Sequence, residues 1–562
     1  MPKYDKMTPD GTRDLLFDEC EAENRIIGKL RKIFEKQSYR EVKTPGLEFY
    51  DVFSSKADYY PQESMYKLSD NRGRLITARP DSTIPIARLT ATKLRGSNLP
   101  LRLYYSQRVY RQQQSLRGRS GEIMQMGVEL IGASTFESDM EVLTLAAKSL
   151  EAGSSANYRI EIGHVGFYKL IMAKLKTDEN AKESIRRCIA SKNYAALNDI
   201  LDTMPESKAL EIIRVLPRLF GNVEALKEAT DLVGDFSKEV TVLLKYLKKI
   251  FNELDKQGLG DHFMIDFGLV NEADYYSSLV FRGYIENTGL SVLSGGRYDQ
   301  LFSDFGEDLP ATGFGINIDI LTSVALKTKN SVTVSKSGKS QSNNEKVRIA
   351  LTKGRLEDSF IEMMEKAGYN CDNIREKGRK LLLTIPDTNI EVFLAKAPDV
   401  ITYVENGVCD IGIVGKDTIL EQGGTYYEIM DLGIGKCRFA VAAPKGIDPF
   451  SGYGTKVIAT KYPSVAGKFF GSKGMDVEII KIEGSVELAP ILSLADCIVD
   501  IVETGTTLKE NGLVVIEEIR DISARLIVNI SEMKLKKVAI EDFTSRLAEV
   551  LPSNSRKKKS KG

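Results

Sequence analysis

The sequence predicts an α+β domain followed by a two-lobed α/β domain, and three observations carry that reading. Before residue 327, strand-like segments enclose a long helix-rich stretch. Residues 327 to 345, KTKNSVTVSKSGKSQSNNE, have no apolar face. From residue 346 onward, short apolar strands alternate with amphipathic helices. At 562 residues the chain is also too long for a single hydrophobic core.

In residues 1 to 326 a helical pattern runs from around Glu21 to Gln37, and strand-like segments follow in LRLYYSQRVYR and MQMGVELIG. Between Phe167 and Gln257 the pattern turns helical; in ESIRRCIA, Ile185, Cys188 and Ile189 fall on one helix face. Strand signals return in YYSSLVFRGYI and the glycine-rich LSGGRYDQL. Strands, then helices, then strands predict an antiparallel sheet with a helical insertion. The Ser-, Lys- and Asn-rich residues 327 to 345 read as a solvated linker, and residues 551 to 562 as a basic disordered tail.

After the linker, KVRIAL reads as a strand. Arg355 to Lys366 reads as a helix with Leu356, Phe360, Met363 and Ala367 on one stripe, stopped by Gly368. EVFLA, DIGIVG, RFAVAAP, KVIAT, VEIIKI and CIVDIVE read as strands; PDVITYVENG and a segment opened by Pro463 read as helices. This rhythm predicts two mostly parallel sheets in residues 346 to 550, the second lobe spanning roughly 441 to 520. Ligands of such sheets bind beyond the carboxyl ends of the strands, here in a cleft between lobes.

Composition narrows the function. Lys+Arg and Asp+Glu balance at 78 each, which predicts no global attraction to nucleic acid or to an anionic membrane. The first residues contain no apolar h-region, and no later run reaches the roughly 20 apolar residues of a membrane span. A cytoplasmic protein is expected. Six scattered cysteines without a C-x-x-C pair predict free thiols. Two histidines, His164 and His262, are too few for a His-rich metal site and are expected to be structural.

The strongest local signal is CIVDIVETGTTLKENG, residues 497 to 512. An apolar strand ends in Asp500 and Glu503 and runs through Thr504, Gly505, Thr506 and Thr507 into a helix. Gly505 lets successive N–H groups face one point, three hydroxyls add donors, and the helix N-terminus adds partial positive charge, which suits a phosphate. The two carboxylates would repel phosphate in the same cradle, so they belong beside it, on ribose hydroxyls or a metal ion. A polar strand-to-helix turn with capping threonines would read the same way. Lys353 and Arg355 in ALTKGR, with Arg379 and Lys380 in EKGRKLLLTIP, could complete a polyphosphate clamp, because arginine offers forked, permanently charged donors.

ALTKGR, RKLLLTIP, KAPDVITYVENGVCDIGIVGKD, GSVELAPILSLAD and DIVETGTTL stand in the order and spacing of the short-form ATP phosphoribosyltransferases, and residues 346 to 550 resemble that family throughout. Pro398, where a charged residue is usual, is a mild departure. The resemblance implies two lobes like those of type II periplasmic binding proteins, joined by a hinge. It implies that N1 of ATP attacks C1 of phosphoribosyl pyrophosphate and that pyrophosphate leaves. On this reading Asp500, Glu503, Thr504, Gly505, Thr506 and Thr507 hold the 5-phosphate and ribose. Arg355 and Arg379 stabilise departing pyrophosphate, with Mg2+ carried mainly by the substrate.

DGTRDLL, TARPDSTIPIAR, residues 111 to 129, ADYYSSLVF, SGGRYDQL and ATGFGINID resemble the catalytic domain of class II histidyl-tRNA synthetases across residues 1 to 326. Three departures matter. The FRxE motif is Tyr110-Arg111-Gln112-Gln113, the arginine before the ADYY stretch is Asn271, and the terminal motif's arginine aligns with Ile320. Much of the machinery for activating ATP is thereby lost, and no anticodon-binding domain follows, so tRNA charging is not expected. Asp81, Thr83, Gln125, Glu129, Tyr275 and Tyr276 match positions that contact histidine. The pattern resembles the regulatory subunit that lends histidine inhibition to short-form transferases. Separate subunits of this kind form hetero-octamers, so a homo-oligomer of fused chains, four by that stoichiometry, is expected. Two other readings, an active synthetase and a non-enzymatic solute sensor, are opposed by these losses and by the DIVETGTTL loop respectively.

Overall fold

The computed structural model describes residues 6–54, 60–112, 120–154, 156–269, 275–286, 288–334, 346–452 and 454–551. Gln113 and Asn271 lie outside them. The chain forms two compact units, Met1–Gln341 and Ser342–Gly562. Helix Ile318–Val334 carries on into the stretch read as linker; residues 335–345, and 552–562 of the tail, lie outside the described residues. Among the described residues no helix is long and apolar enough to cross a membrane.

The first unit is built on a nine-stranded sheet ordered Arg40–Glu41, Leu101–Tyr110, Glu122–Ile131, Ala311–Asn317, Ser291–Arg297, Leu279–Ile285, Tyr158–His164, Phe263–Asp266, Phe220–Gly221. Its pairings are antiparallel except Arg40–Glu41 with Leu101–Tyr110 and Tyr158–His164 with Phe263–Asp266. The second parallel pair needs a crossover, and the helices from Val165 to Lys256 supply it. Side chains alternate across the pleat, so each strand serves two faces. Phe34, from helix Asp18–Lys36, meets Tyr104 and Phe314 on one face. Tyr105, Gln125 and Glu129 point to the other. A separate three-stranded sheet, Leu47–Phe49, Leu75–Ala78 and Lys67–Ser69, has strands too short for alternation to announce them.

The second unit contains two sheets. The first runs Leu382–Thr384, Ile390–Ala395, Val347–Thr352, Ile411–Gly415, Ala524–Val528, Tyr427–Asp431; the second runs Val477–Lys481, Lys456–Thr460, Cys497–Val502, Cys437–Pro444, Leu513–Ile522. The expectation of mostly parallel sheets needs correction. Three pairings in the first sheet and two in the second are antiparallel. The chain leaves the first lobe after Asp431 and returns through Ser523, and strand Ala524–Val528 inserts backwards between two first-lobe strands. Second-lobe strands therefore begin at Cys437 and end at Ile522, slightly wider than 441 to 520. Helix Arg355–Lys366 buries Phe360, Met363 and Met364 and gives way to Gly368 at φ 89, where a left-handed residue closes the last turn.

The six cysteines are free; Cys371, Cys409 and Cys497 are buried. Both histidines have local roles. His164 Nδ1 accepts from Gly166 N at 3.0 Å and caps the following helix, and burial pushes its pKa down to about 4. His262 stacks on Tyr158 with ring centres 4.3 Å apart.

Candidate functional site

The first unit holds a cavity of about 580 Å³ on the sheet face opposite helix Asp18–Lys36, and Asp81, Thr83, Gln125, Glu129, Tyr275 and Tyr276 all line it. Its floor is cleared by glycines two apart. A Cβ on Gly313 would collide with the Glu129 carboxylate, and one on Gly315 would meet Gln125 Nε2 at 2.7 Å. That spacing puts both on one face of strand Ala311–Asn317. Glu129, 1% exposed, stands on the neighbouring strand. Thr83 Oγ1 donates to its Oε1 at 2.7 Å, and the Tyr298 hydroxyl donates to Oε2. Burial pushes its pKa up to about 8, further raised by the Asp81 charge and opposed by the two hydroxyl donors.

Asp81 is tied into the wall by Tyr60, whose hydroxyl donates at 3.0 Å, and by the Ile84 N–H at 3.1 Å. Arg111 Nε donates to the Pro80 carbonyl at 2.8 Å, and its Nη2 lies 4.0 Å from Asp81 Oδ2. Tyr275 and Tyr276 form a tilted pair, centres 4.6 Å apart. Gln125 Oε1 is buried without a hydrogen-bond partner among the described residues, an acceptor whose capacity the surrounding side chains leave unused. Sequence reasoning missed Tyr60, Tyr105 and Tyr298. Only the SGGRYDQL motif, which contains Tyr298, offered a signal for any of them.

The second cluster lies where the two sheets of the second unit face each other. Gly505, at φ 79, caps the short helix Thr506–Glu510. Thr504, Thr506 and Thr507 are exposed around this turn. The Thr504 and Thr506 hydroxyls are 3.0 Å apart, and Thr504 Oγ1 accepts from Thr506 N at 3.4 Å, so part of the threonine chemistry serves the turn itself. Asp500 sits lower on the strand, where burial pushes its pKa up to about 6. Arg355 Nη1 donates to Glu503 Oε2 at 2.7 Å, with the two side chains 79% and 52% exposed. This bond joins the carboxyl end of Val347–Thr352 in one sheet to that of Cys497–Val502 in the other.

Arg379 lies in the exposed turn before Leu382–Thr384, an edge strand antiparallel to Ile390–Ala395, which itself runs parallel to Val347–Thr352. That order places Arg379 at the same sheet end as Arg355. Among the described residues, however, no hydrogen bond or ion pair ties Arg379 to Arg355, Glu503 or the threonine turn. Among the described residues no three His, Cys, Asp or Glu side chains group as a metal site.

Comparison with known proteins divides the chain in the same order. The histidyl-tRNA synthetase family model matches residues 11–321, and the ATP phosphoribosyltransferase model matches residues 396–549. An ATP phosphoribosyltransferase regulatory subunit of Clostridium kluyveri is 39% identical over 381 residues, 67% of this chain and 93% of the relative. One from Bacillus cereus is 39% identical over 322 residues, 57% of this chain and 76% of the relative. A crystal structure of an ATP phosphoribosyltransferase regulatory subunit/histidyl-tRNA synthetase from Bacillus halodurans aligns with TM-score 0.54 at 29% identity, covering 70% of this chain and 94% of that one.

Proposed function

The chain belongs to the histidyl-tRNA synthetase family, in the branch of ATP phosphoribosyltransferase regulatory subunits, and from that premise we propose that it is a histidine-inhibited transferase carrying sensor and catalyst on one polypeptide. Its second unit carries an ATP phosphoribosyltransferase domain, a pentosyltransferase of histidine biosynthesis. The observation that carries the proposal is the 2.7 Å bond between Arg355 and Glu503, because it sets a permanent cation against the phosphate-type turn across a cleft.

In the reaction, N1 of ATP attacks C1 of phosphoribosyl pyrophosphate, the C1–O bond breaks, and pyrophosphate leaves with the electron pair. The turn around Gly505 binds the 5-phosphate through N–H groups and threonine hydroxyls. Pyrophosphate competes with Glu503 for Arg355. As the guanidinium turns to the leaving group, the Glu503 carboxylate is released to accept from ribose hydroxyls, with Asp500 beside it. Arg379, at the same sheet end, adds a second cation where negative charge grows.

Mg2+ is commonly bound by one or two carboxylates plus substrate phosphates, and Asp500 and Glu503 fit that role better than an all-protein cage. Bound with the substrate, the ion would neutralise charge on departing pyrophosphate. The cavity of the first unit, with two carboxylates, the open Gln125 acceptor and paired tyrosines, is suited to histidine as inhibitor. We place the protein in the cytoplasm as a homo-oligomer that charges no tRNA.

The test is pyrophosphate release from ATP plus phosphoribosyl pyrophosphate, with and without histidine. Release that histidine suppresses is expected. No release would remove the transferase reading, and release indifferent to histidine would remove the sensor.

A further inference from the structure

Helix Lys416–Gln422 follows a first-lobe strand, yet it serves both lobes. Ile419 belongs to the first-lobe core with Val400, Val414 and Ile527, whereas Leu420 packs on the second-lobe core around Phe439 and Phe470. Asp417 and Glu421 flank Leu420 at helical spacing and face the same way. The Tyr462 hydroxyl donates to Asp417 Oδ2 at 3.4 Å. Glu421 accepts from Ser464 N at 3.0 Å and from Val465 N at 3.2 Å.

Those two N–H groups are the first two that helix Pro463–Ser472 possesses, since Pro463 has none, and they belong to its second and third residues, the donors that an N-cap side chain ordinarily satisfies. Its own N-cap residue, Tyr462, makes no such bond. A second-lobe helix is thus capped by a first-lobe carboxylate. The capping helix is anchored at its base: Lys416 Nζ donates to Glu428 at 2.5 Å, with both side chains buried, and Lys416 N donates to the carbonyl of Ser523, in the returning crossover, at 3.0 Å.

Both ends of this contact adjoin the site. Strand Ile411–Gly415, which feeds the capping helix, lies beside the strand leading to Arg355. Strand Lys456–Thr460, which feeds the capped helix, lies beside the strand leading to Glu503 and the threonine turn. Two kinds of bridge thus cross between the lobes among the described residues, Arg355–Glu503 and the contacts of helix Lys416–Gln422, Glu421 with Ser464 and Val465 and Asp417 with Tyr462. Arg355–Glu503 is exposed and uses groups that the substrate needs, whereas the Glu421 bridge uses none of them.

We infer that Glu421 is a positioning residue for the transfer reaction: it holds the two lobes at the separation where Arg355 faces the threonine turn, and keeps holding while the Arg355–Glu503 pair opens for substrate. The inference rests on the functional reading above.

Its test uses the full chain with Glu421→Ala and Glu421→Gln, followed by pyrophosphate release and by hydrogen exchange at the start of helix Pro463–Ser472. Glu421→Ala should lower kcat about tenfold, since a small misplacement of reacting groups is costly. KM for phosphoribosyl pyrophosphate should move less than about threefold, because the phosphate turn lies wholly within one lobe. Glu421→Gln should recover most of the turnover, as its amide oxygen accepts from the same N–H groups. Exchange at Ser464 and Val465 should accelerate in the Ala variant only. A kcat within twofold of wild type, unchanged exchange, or a deficit that vanishes at a temperature where the variant is fully folded would each overturn the positioning role. If the wild-type chain releases no pyrophosphate, the functional reading falls and positioning falls with it, while protected amides would still mark Glu421 as a structural cap.

Discussion

The cavity of the first unit and the cleft of the second solve opposite problems. Around Glu129 the polar groups are already hydrogen-bonded to one another: the buried carboxylate stands on a strand, Thr83 at the start of a helix and Tyr298 just past the end of strand Ser291–Arg297, all within one unit. Around Arg355 the charges are exposed and divided between two sheets. Buried groups with fixed partners discriminate, because any ligand must replace bonds that already exist. Exposed charges on separate lobes bind little by themselves; they gain strength when the lobes exclude water from a polyanion between them. A sensor is suited by the first arrangement, and a transferase with a charged leaving group by the second.

The largest expected effect lies in the cleft. Arg355→Ala should lower kcat by about 100-fold, with a much smaller change in KM for phosphoribosyl pyrophosphate, because one donor to developing charge is worth about 3 kcal/mol. Arg379→Ala sharpens the comparison, since no bond ties that side chain to the Arg355–Glu503 pair among the described residues. A comparable loss of turnover is expected, and normal turnover at saturation would take Arg379 out of the clamp.

Next comes the turn. Thr504→Val and Thr507→Val each remove a donor to a charged ligand, about 1.5–3 kcal/mol, so KM for phosphoribosyl pyrophosphate should rise roughly tenfold or more. The ATP constant should change less. Because Thr504 also accepts from Thr506 N, a fall in melting temperature only for Thr504→Val would separate turn-building from phosphate binding.

In the cavity, Glu129→Ala should weaken histidine binding by more than tenfold, about 1.5 kcal/mol, in calorimetric titration. Uninhibited activity should stay within about twofold, since the catalytic groups belong to the other unit. Equal histidine affinity in both proteins would remove Glu129 from the site.

A last effect, felt in stability and not in activity, is on the response to pH. The Glu129 pKa is raised from 4.5 to about 8 in the folded unit, so the folded state holds a proton that the unfolded chain gives up at lower pH. The associated stability is fully present below about pH 4.5 and is lost as pH rises towards about 8. Glu129→Gln removes this dependence. The transition of the first unit in scanning calorimetry should fall less between about pH 5.5 and 8.5 in the Gln variant than in wild type. An equal fall would mean that Glu129 is charged throughout.

Much of this was legible in the residues. The period-3.6 stripe ended by Gly368 defined helix Arg355–Lys366, and Gly505 marked its turn, because a positive φ strongly favours a residue without a side chain. The six cavity residues were found through motif resemblance, since no local periodicity distinguishes Glu129 from any other strand residue. The mixed direction of the sheets was not legible: Ala524–Val528 is an apolar strand whichever way it pairs, and only the returning chain reverses it.

The sequence by itself determined the local elements, the separation into two units of different rhythm, and the chemistry available at each motif, because those depend on neighbours a few residues away. Only the tertiary structure decided that Tyr298 closes on Glu129 from 169 residues along the chain, that Arg355 meets Glu503 across 148, and that Glu421 caps a helix in the other lobe. Each of these is a polar group whose partner is chosen by packing. Burial leaves it no water to bond, or a facing lobe brings the partner within reach, and neither condition exists until the sheets have assembled.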